Sequence, residues 1–300
     1  MFANFKGFAQ FISIERGLML FAISVGATFL TLGTLAWSQA IYLGAIVFCG
    51  WSGLDALNNV FDVDLDGVSD PSRAKYTRNL GKVGLSIAIA FSALSLGLGA
   101  VTMIPLVILF IILGIVFGVL YSVPPFRLRQ KVYKPLVNFT VGAVPVLIVA
   151  GFSHVFSVNV VTLVLLIGIT TAVNSLWEDL ADYASDSASS ARTVPIVLGL
   201  RKGLLFTLAT GYCLIPLMIL VGILFQLHLI YYFVLSGLAF FVSCRLYQKR
   251  FALFGSHRTD AKKLLEVGDV LARDFVVVAI VQTLSLMFSS FLTMSHFLPF

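Results

Sequence analysis

Two acidic stretches, far apart in the sequence, carry the side chains best suited to chemistry. In both, polar residues with oxygen atoms recur at intervals of three or four, which places their side chains on one face of a helix. The members are Asn58, Asn59, Asp62 and Asp66 in the first stretch and Asp179, Asp182 and Asp186 in the second. Like charges at this spacing repel each other by a few tenths of a kcal/mol per pair, so each stretch favours a bound cation. Carboxylate and amide oxygens suit Mg²⁺, and we predict that these residues bind Mg²⁺ together with a diphosphate.

The first stretch has two other interpretations. The run from Asp62 through Asp64 and Asp66 to Gly67 resembles the start of an EF-hand loop, but Arg73 stands where that loop needs a bidentate Glu. A solvated acidic loop is the simpler alternative for one stretch taken alone. The existence of a second stretch favours a paired site.

Basic residues follow the acidic stretches along the chain. This order suits an anionic ligand that reaches the carboxylates through a metal, while Arg or Lys binds its remaining phosphate oxygens. A stop-transfer patch is the alternative for the basic run that begins after Pro124 and Pro125. The candidate diphosphate-binding residues are Arg73, Lys75, Arg78, Arg127 and Arg192.

The elements that position these residues are membrane helices. The chain is 59% hydrophobic and 11% charged, with a mean hydropathy of +1.00, which is far outside the range of a soluble domain. The first apolar segment is too long for a cleavable signal peptide. Charged residues are missing from 17–54, 83–126, 135–177, 203–244 and 275–300. At about 20 residues per crossing, these gaps predict four helical hairpins and one further helix, nine spans in all.

This arrangement predicts the topology of the chain. All 20 Lys and Arg and all 14 Asp and Glu would lie on one side of the membrane or at its edge. By the positive-inside rule that side is cytoplasmic, with the N-terminus inside and the C-terminus on the opposite side. The net charge of +6 then reflects topology, and no nucleic-acid binding follows from it. We expect an all-α, single-domain bundle over 1–300 with cytoplasmic cap loops. We read the segment from Asp260 to Val267 as a short interfacial helix.

The motifs resemble those of the UbiA-type intramembrane prenyltransferase superfamily over nearly the whole chain. The first motif matches Asn58, Asp62, Asp66, Pro71 and Arg73, and the second matches Asp179, Asp182 and Asp186, followed by Thr193, Pro195, Leu198 and Gly199. The segment from Tyr121 to Leu128 is similar to the loop after the family's fourth helix. Two departures bear on the substrate: Asn59 replaces the family's usual Asp, and the segment from Ala74 to Arg78 replaces a common Pro-Ile-Pro-Ser-Gly ending.

The resemblance implies Mg²⁺-dependent transfer of a prenyl group from an allylic prenyl diphosphate to a hydrophobic or aromatic acceptor in the lipid bilayer. Asp62, Asp66, Asp182 and Asp186 would act in catalysis, and the ring of Tyr121 would stabilise an allylic cation. No obligate protein partner is evident. A membrane terpene cyclase of the same fold is the alternative. A cation or metabolite transporter is a more distant one, since the acids cluster at helix ends and not near the bilayer midplane.

Overall fold

The computed structural model describes residues 2–188, 191–254 and 261–296, apart from the side chains of 2–4, 65, 66, 68, 69, 185, 188, 254, 261, 262 and 296. Throughout this part the chain forms helices joined by short turns. The helices are α1 (Phe2–Phe11), α2 (Ile14–Leu32), α3 (Trp37–Ser69), α4 (Pro71–Leu80), α5 (Lys82–Val101), α6 (Pro105–Ser122), α7 (Lys134–Ser153), α8 (Val158–Ala181), α9 (Tyr183–Ala188), α10 (Val194–Leu198), α11 (Leu200–Tyr212), α12 (Leu214–Leu224), α13 (Leu229–Phe254) and α14 (Ala261–His296). The prediction of an all-α fold is confirmed.

Nine candidate spans within the described residues are long and apolar enough to cross a membrane. Each overlaps one of the five predicted gaps, although several, such as Trp37–Asp64 and Lys263–Ser295, extend beyond the gap into charged segments. The chain is an integral, multi-pass membrane protein. Helices α11 and α12 together form the seventh span, from Leu200 to Leu224. That span is interrupted at Cys213 because Pro216 lacks the N–H that would bond to the carbonyl of Tyr212.

The helices differ at two places from those that the sequence predicts. The predicted interfacial helix from Asp260 to Val267 does not stand alone, because the segment from Ala261 is the first part of the continuous helix α14; Asp260 lies outside the described residues. The second acidic stretch does not lie on one unbroken helix either, since α8 ends at Ala181 and α9 starts at Tyr183. Asp182 lies at this junction.

The chain divides into two compact units, and the boundary passes through α7. The first unit comprises Met1–Arg127 and Ala143–Phe156. Its central helix is α3, which packs against α2, α4, α5 and α6. Gly53 allows the close approach of α3 and α5, because a Cβ there would lie 2.8 Å from the backbone nitrogen of Ser92. The Ser95 hydroxyl, also on α5, donates a hydrogen bond of 2.8 Å to the carbonyl of Ile46.

The second unit comprises Leu128–Gly142 and Ser157–Phe300. Its central helix is α8, which packs against α10, α11, α12 and α14. Polar groups join the helices inside the membrane, where unmade hydrogen bonds are costly. The Gln282 amide donates to the Tyr231 hydroxyl at 3.0 Å, and that hydroxyl donates to the carbonyl of Met218, also at 3.0 Å. Each unit thus has one packed helix that continues into an acidic stretch.

Candidate active site

The first acidic stretch lies on α3. This helix has 33 residues and is therefore about 50 Å long, more than a bilayer core of about 30 Å. Its last turns extend past the apolar segment, as the spacing of the acidic residues predicts. The same helical backbone excludes an EF-hand loop at Asp62, Asp64 and Asp66. The side chain of Asp66 is outside the described residues.

Asp62 is fully buried and forms an ion pair with Arg127. The Arg127 Nη2 atom donates to Asp62 Oδ1 at 3.0 Å and to the carbonyl of Phe61 at 2.9 Å. Arg127 has φ of 41°, a left-handed conformation that non-glycine residues adopt at a cost. The fold therefore holds this guanidinium against the buried carboxylate despite local strain.

The two asparagines of the first stretch differ in environment. Asn58 Oδ1 accepts a hydrogen bond from the Ser122 hydroxyl at 3.1 Å, which links α3 to the end of α6. Asn59 is buried, and its Nδ2 donates to the carbonyl of Phe11 at 2.7 Å. The amide nitrogen of Asn59 thus links α3 to α1, and only its Oδ1 remains as a candidate metal ligand. Tyr121 directly precedes Ser122 in the last turn of α6.

The cations of the first unit lie on α4. This helix begins with Asp70 as its N-cap, whose carboxylate accepts from the backbone N–H of Arg73 at 3.1 Å. A hydrogen bond from Ser72 is the largest cause that lowers the pKa of Asp70. Arg78 pairs with Asp64 at 3.2 Å, and both are exposed. Lys75 is exposed on the same helix.

The second acidic stretch is organised by Lys134, at the start of α7. The Lys134 Nζ atom lies 2.6 Å from Asp179 Oδ1 and 3.7 Å from Glu178 Oε2. The side chains of Lys134 and Asp179 are only 9% and 1% exposed. Asn174, one turn earlier on α8, donates to Glu178 Oε1 at 3.0 Å. The other oxygen of Asp179, Oδ2, is buried and accepts no hydrogen bond from the described residues.

Asp182 and Asp186 occupy the junction after α8. The backbone N–H of Asp186 bonds to the carbonyl of Asp182 at 2.9 Å, so the two side chains stay one turn apart across the helix break. Thr193 donates its hydroxyl to Asp186 Oδ2 at 3.3 Å. The Arg192 N–H bonds to the carbonyl of Gln130 at 2.8 Å, while the Arg192 side chain is exposed.

The second acidic stretch and the cations beside it form a cluster, the second acidic cluster, with more negative than positive charge. Burial raises the pKa of Asp182 and of Asp186, and in both cases Lys134 opposes that rise. Asp182 is nevertheless exposed in the structure, whereas Asp186 is half-buried. Burial also lowers the pKa of the Arg129 guanidinium, and the nearby carboxylates oppose that change. When all these groups are ionised, four carboxylates, those of Glu178, Asp179, Asp182 and Asp186, stand against two cations, Lys134 and Arg129. The cluster carries a formal excess of two negative charges.

A divalent metal fits the donor chemistry of these residues. The excess negative charge of the second cluster and the buried Oδ2 of Asp179 both favour a cation bound through oxygen. Among the described side chains, however, no three acidic, histidine or cysteine residues are arranged to enclose a metal by themselves. Oxygen atoms from a ligand would have to complete the coordination, as is usual for Mg²⁺ with substrate phosphates.

Lys134 and Arg129 were not predicted as site residues. In the sequence both belong to a basic run between two spans, which the positive-inside rule explains without any site. Lys134 is 45 residues from Asp179, so no local spacing indicates the pair. The one available signal was the position of Lys134 at the start of an apolar helix, where a charge needs a partner.

Comparison with known proteins identifies relatives with the same fold. The sequence is 28% identical over 187 residues to digeranylgeranylglyceryl phosphate synthase from Methanoculleus marisnigri. That match spans 59% of this chain and 63% of the relative's length. A solved structure concerned with digeranylgeranylglyceryl phosphate synthase superposes with a TM-score of 0.66 at 18% identity, covering 96% of this chain and 98% of that one.

A UbiA homologue from Archaeoglobus fulgidus bound to GPP and Mg²⁺ has a TM-score of 0.64 at 14% identity and covers 96% of this chain and 99% of its own. At these identities the two structures establish the fold alone. The profile of the UbiA prenyltransferase family matches residues 19–253, well over half of the chain. This match confirms the resemblance read from the acidic motifs. The chain belongs to the UbiA prenyltransferase family.

Proposed function

We propose that the protein transfers a prenyl group from an allylic prenyl diphosphate to a hydrophobic or aromatic acceptor within the membrane and releases pyrophosphate. The second acidic cluster carries this proposal. It holds four carboxylates against two cations, and the buried Oδ2 of Asp179 accepts no hydrogen bond from the residues that the structure describes. Such a cluster suits a divalent cation and its anionic ligand.

The residues proposed to hold Mg²⁺ are Asn58, Asn59, Asp62, Asp66, Asp179, Asp182 and Asp186. When bound, Mg²⁺ neutralises the charge that develops on the leaving pyrophosphate. The Lys134 ammonium binds Asp179 Oδ1, so that Oδ2 stays available as a ligand. In the first unit, Arg127 holds the Asp62 carboxylate in one orientation. Both clusters serve the same reaction.

Cations on the chain bind the phosphate oxygens in this proposal. The side chains of Lys75, Arg78 and Arg192 are exposed and can turn toward an anion, Arg78 by leaving its exposed ion pair with Asp64. Arg73 and Arg127 are further candidates. Heterolysis of the allylic carbon–oxygen bond leaves its electron pair on the pyrophosphate. The resulting allylic cation is steadied by aromatic ring faces, Tyr121 first among them. An electron-rich carbon or oxygen of the acceptor then forms the new bond and loses its proton.

The name of one relative supports a choice of acceptor to test first. The relative from Methanoculleus marisnigri is named for the synthesis of a glyceryl phosphate that carries two geranylgeranyl groups. We therefore favour a lipid-like acceptor and place prenylated glyceryl phosphates first in the acceptor panel. Asn59, which replaces the family's usual Asp, and the segment from Ala74 to Arg78 are where this chain departs from the family motif.

The orientation in the membrane is part of the proposal. We propose a cytoplasmic N-terminus and cytoplasmic acidic stretches, with the C-terminus on the opposite side. Single cysteines introduced at Lys75 and at Phe156, in a background without Cys49, Cys213 and Cys244, test this in intact cells. An impermeant maleimide should label position 156 and not position 75. The reverse pattern would overturn the orientation.

The reaction is tested with purified protein, Mg²⁺, a ladder of prenyl diphosphates and a panel of acceptors. We expect pyrophosphate release and a product whose mass is the sum of acceptor and prenyl group less one proton. A hydrocarbon or terpene alcohol formed without any acceptor would instead identify a cyclase. If Asp62→Ala and Asp182→Ala both kept full turnover, the proposed roles of the acidic clusters would be wrong.

A further inference from the structure

A further carboxylate of α3 lies deeper in the membrane than the first acidic stretch. Asp55 falls inside the candidate span Trp37–Asp64, where an ionisable residue is costly and commonly marks a functional site. It precedes Asp62 by seven residues, which is two helical turns and a rise of about 10 Å. Two whole turns also place both side chains on the same face of the helix. Asp55 therefore lies on the hydrocarbon side of a carboxylate proposed to bind Mg²⁺, and the reaction proposed above assigns it no role.

The helices packed around α3 determine the direction of Asp55. The three residues before Asp55 each lie next to another helix of the first unit. These contacts are Ser52 with Gly17 of α2, Gly53 with Ser92 of α5, and Leu54 with Gly118 of α6. Each residue of an α-helix is rotated by about 100° from the one before it. Asp55 therefore points between α2 and α6, on the side of α3 that it shares with Trp51.

The carboxylate of Asp55 is held by this tryptophan, one turn earlier on α3. The Trp51 Nε1–H donates a hydrogen bond of 3.0 Å to Asp55 Oδ2. Both residues are half-buried, so the carboxylate is oriented without being sealed inside the protein. An ionised carboxylate only accepts hydrogen bonds, and the neutral indole does not cancel its charge. A ligand that reaches Asp55 from the apolar side must therefore offer a hydrogen-bond donor.

A hydroxyl group is the donor that suits this position. The charge of Asp55 repels a phosphate, whereas the candidate phosphate-binding residues Arg73, Lys75 and Arg78 lie on α4, beyond the other end of the first acidic stretch. A lipid with a phosphate and a hydroxyl can satisfy both places. A hydroxyl oxygen that donates to a carboxylate also gains electron density, as the acceptor of the proposed reaction requires.

We infer that Asp55 binds the hydroxyl group of the acceptor, and that Trp51 positions the carboxylate for this contact. The acceptor is then an alcohol-bearing amphiphile whose apolar chain lies in the membrane. This inference rests on the proposed function and deepens it, because it adds a substrate contact two turns from Asp62 and narrows the acceptor to hydroxyl compounds.

Equilibrium binding to the purified full-length protein tests the inference without turnover. One probe is a glyceryl phosphate with one geranylgeranyl ether and a free hydroxyl, and the deoxy probe has a hydrogen in place of that hydroxyl. Calorimetric titration in detergent micelles, without prenyl diphosphate, measures both affinities. The probes differ by one hydrogen bond to a charged group, so the unmodified protein should bind the hydroxyl probe at least about ten-fold more tightly.

Variants assign this preference to the proposed contact. Asp55→Ala should bind both probes equally, and an unchanged affinity for the deoxy probe shows that the variant is folded. Asp55→Asn keeps the shape and an acceptor oxygen but not the charge, and should retain a preference of about three-fold. Trp51→Phe should also lower the preference, because the carboxylate loses the group that orients it. Asp64→Asn is the control on the same helix, since Asp64 is 91% exposed, and it should keep the full preference.

Several results would overturn the inference. These are equal affinity of the unmodified protein for the two probes, no binding of either probe, and a full preference in Asp55→Ala or in Asp55→Asn. The last variant keeps the test decisive if Asp55→Ala does not fold. The proposed function fails on a different result, the absence of pyrophosphate release and product with every acceptor of the panel. Prenyl transfer to an acceptor without a hydroxyl would leave the proposed function intact and overturn this inference alone.

Discussion

The ion pair between Lys134 and Asp179 should be the most sensitive electrostatic contact of the second unit. Its atoms are 2.6 Å apart, and the two side chains are 9% and 1% exposed. At an effective dielectric constant of about 20, opposite charges about 3 Å apart attract each other by about 5 kcal/mol. Desolvation offsets much of this attraction, so the pair need not stabilise the fold relative to two apolar residues. Removing one partner is different, because the other charge is then buried alone.

We therefore expect Lys134→Met to lower the free energy of unfolding by about 3–5 kcal/mol. The double variant Lys134→Met, Asp179→Asn should recover most of this loss, because the fully buried carboxylate is removed together with its cation. Denaturant titration in micelles, followed by the fluorescence of the tryptophans, measures both values. Lys131→Met is the matched control: Lys131 is exposed, and the change should stay within about 0.5 kcal/mol.

Two results would refute this reasoning. One is a Lys134→Met protein as stable as the unmodified one, which would mean that solvent reaches Asp179. The other is a double variant no more stable than Lys134→Met, which would mean that packing by the lysine chain, and not its charge, stabilises the site.

Three further changes probe the first unit. Asn59→Asp, which introduces the family's usual residue, should destabilise the protein by about 1–3 kcal/mol, because the Phe11 carbonyl loses its donor and faces a buried carboxylate; denaturant titration measures this. Arg127→Ala should lower turnover by about 100-fold, because the buried Asp62 carboxylate loses the group that orients it, as a pyrophosphate-release assay would show. Asp70→Ala should cost about 1 kcal/mol at pH 7 through loss of the α4 N-cap. Because the pKa of Asp70 is lowered from 3.8, its contribution is present above that value and is lost as the pH falls through the lowered pKa, so the variant and the unmodified protein should converge in acid titrations.

Each of these changes has a control or a contrary outcome. Asn59→Ser, which cannot reach as far but introduces no charge, should cost less than Asn59→Asp; the opposite order would show that the loss of side-chain length matters more than the carboxylate. Unchanged turnover in Arg127→Ala would show that the reaction does not need the Arg127 guanidinium to orient Asp62. A constant gap in stability between the Asp70→Ala and unmodified proteins from pH 7 to pH 2 would contradict the role of the ionised cap.

The fold was largely predictable because the membrane imposes strong rules on sequence. Long gaps without charge indicate spans, and each of the nine candidate spans in the described residues overlaps one of these gaps. The extension of α3 beyond the apolar segment was predictable from the helical spacing of Asp62 and Asp66. The expectation of one domain over 1–300 stays a prediction, since the chain divides into two compact units.

The partners of the site residues were not predictable, because they come from distant parts of the chain. Asn59 is 48 residues from Phe11, whose carbonyl accepts its amide hydrogen bond. Nothing in the local sequence separates an asparagine that donates to a backbone carbonyl from one that binds a metal. The helix break at Asp182 also lacks a local signal, because no Gly or Pro lies there. Tertiary hydrogen bonds, such as that from Thr193 to Asp186, shape this segment.

The most direct test of the central claim is turnover of Asp62→Ala and Asp182→Ala, each measured with saturating prenyl diphosphate and Mg²⁺. The control is Asp64→Ala, since Asp64 is two residues from Asp62 but 91% exposed. We predict that each of the first two changes lowers pyrophosphate release by at least about 100-fold, while the control stays within about two-fold. Full turnover in both Asp62→Ala and Asp182→Ala would contradict the claim that the two acidic clusters serve one metal-dependent reaction.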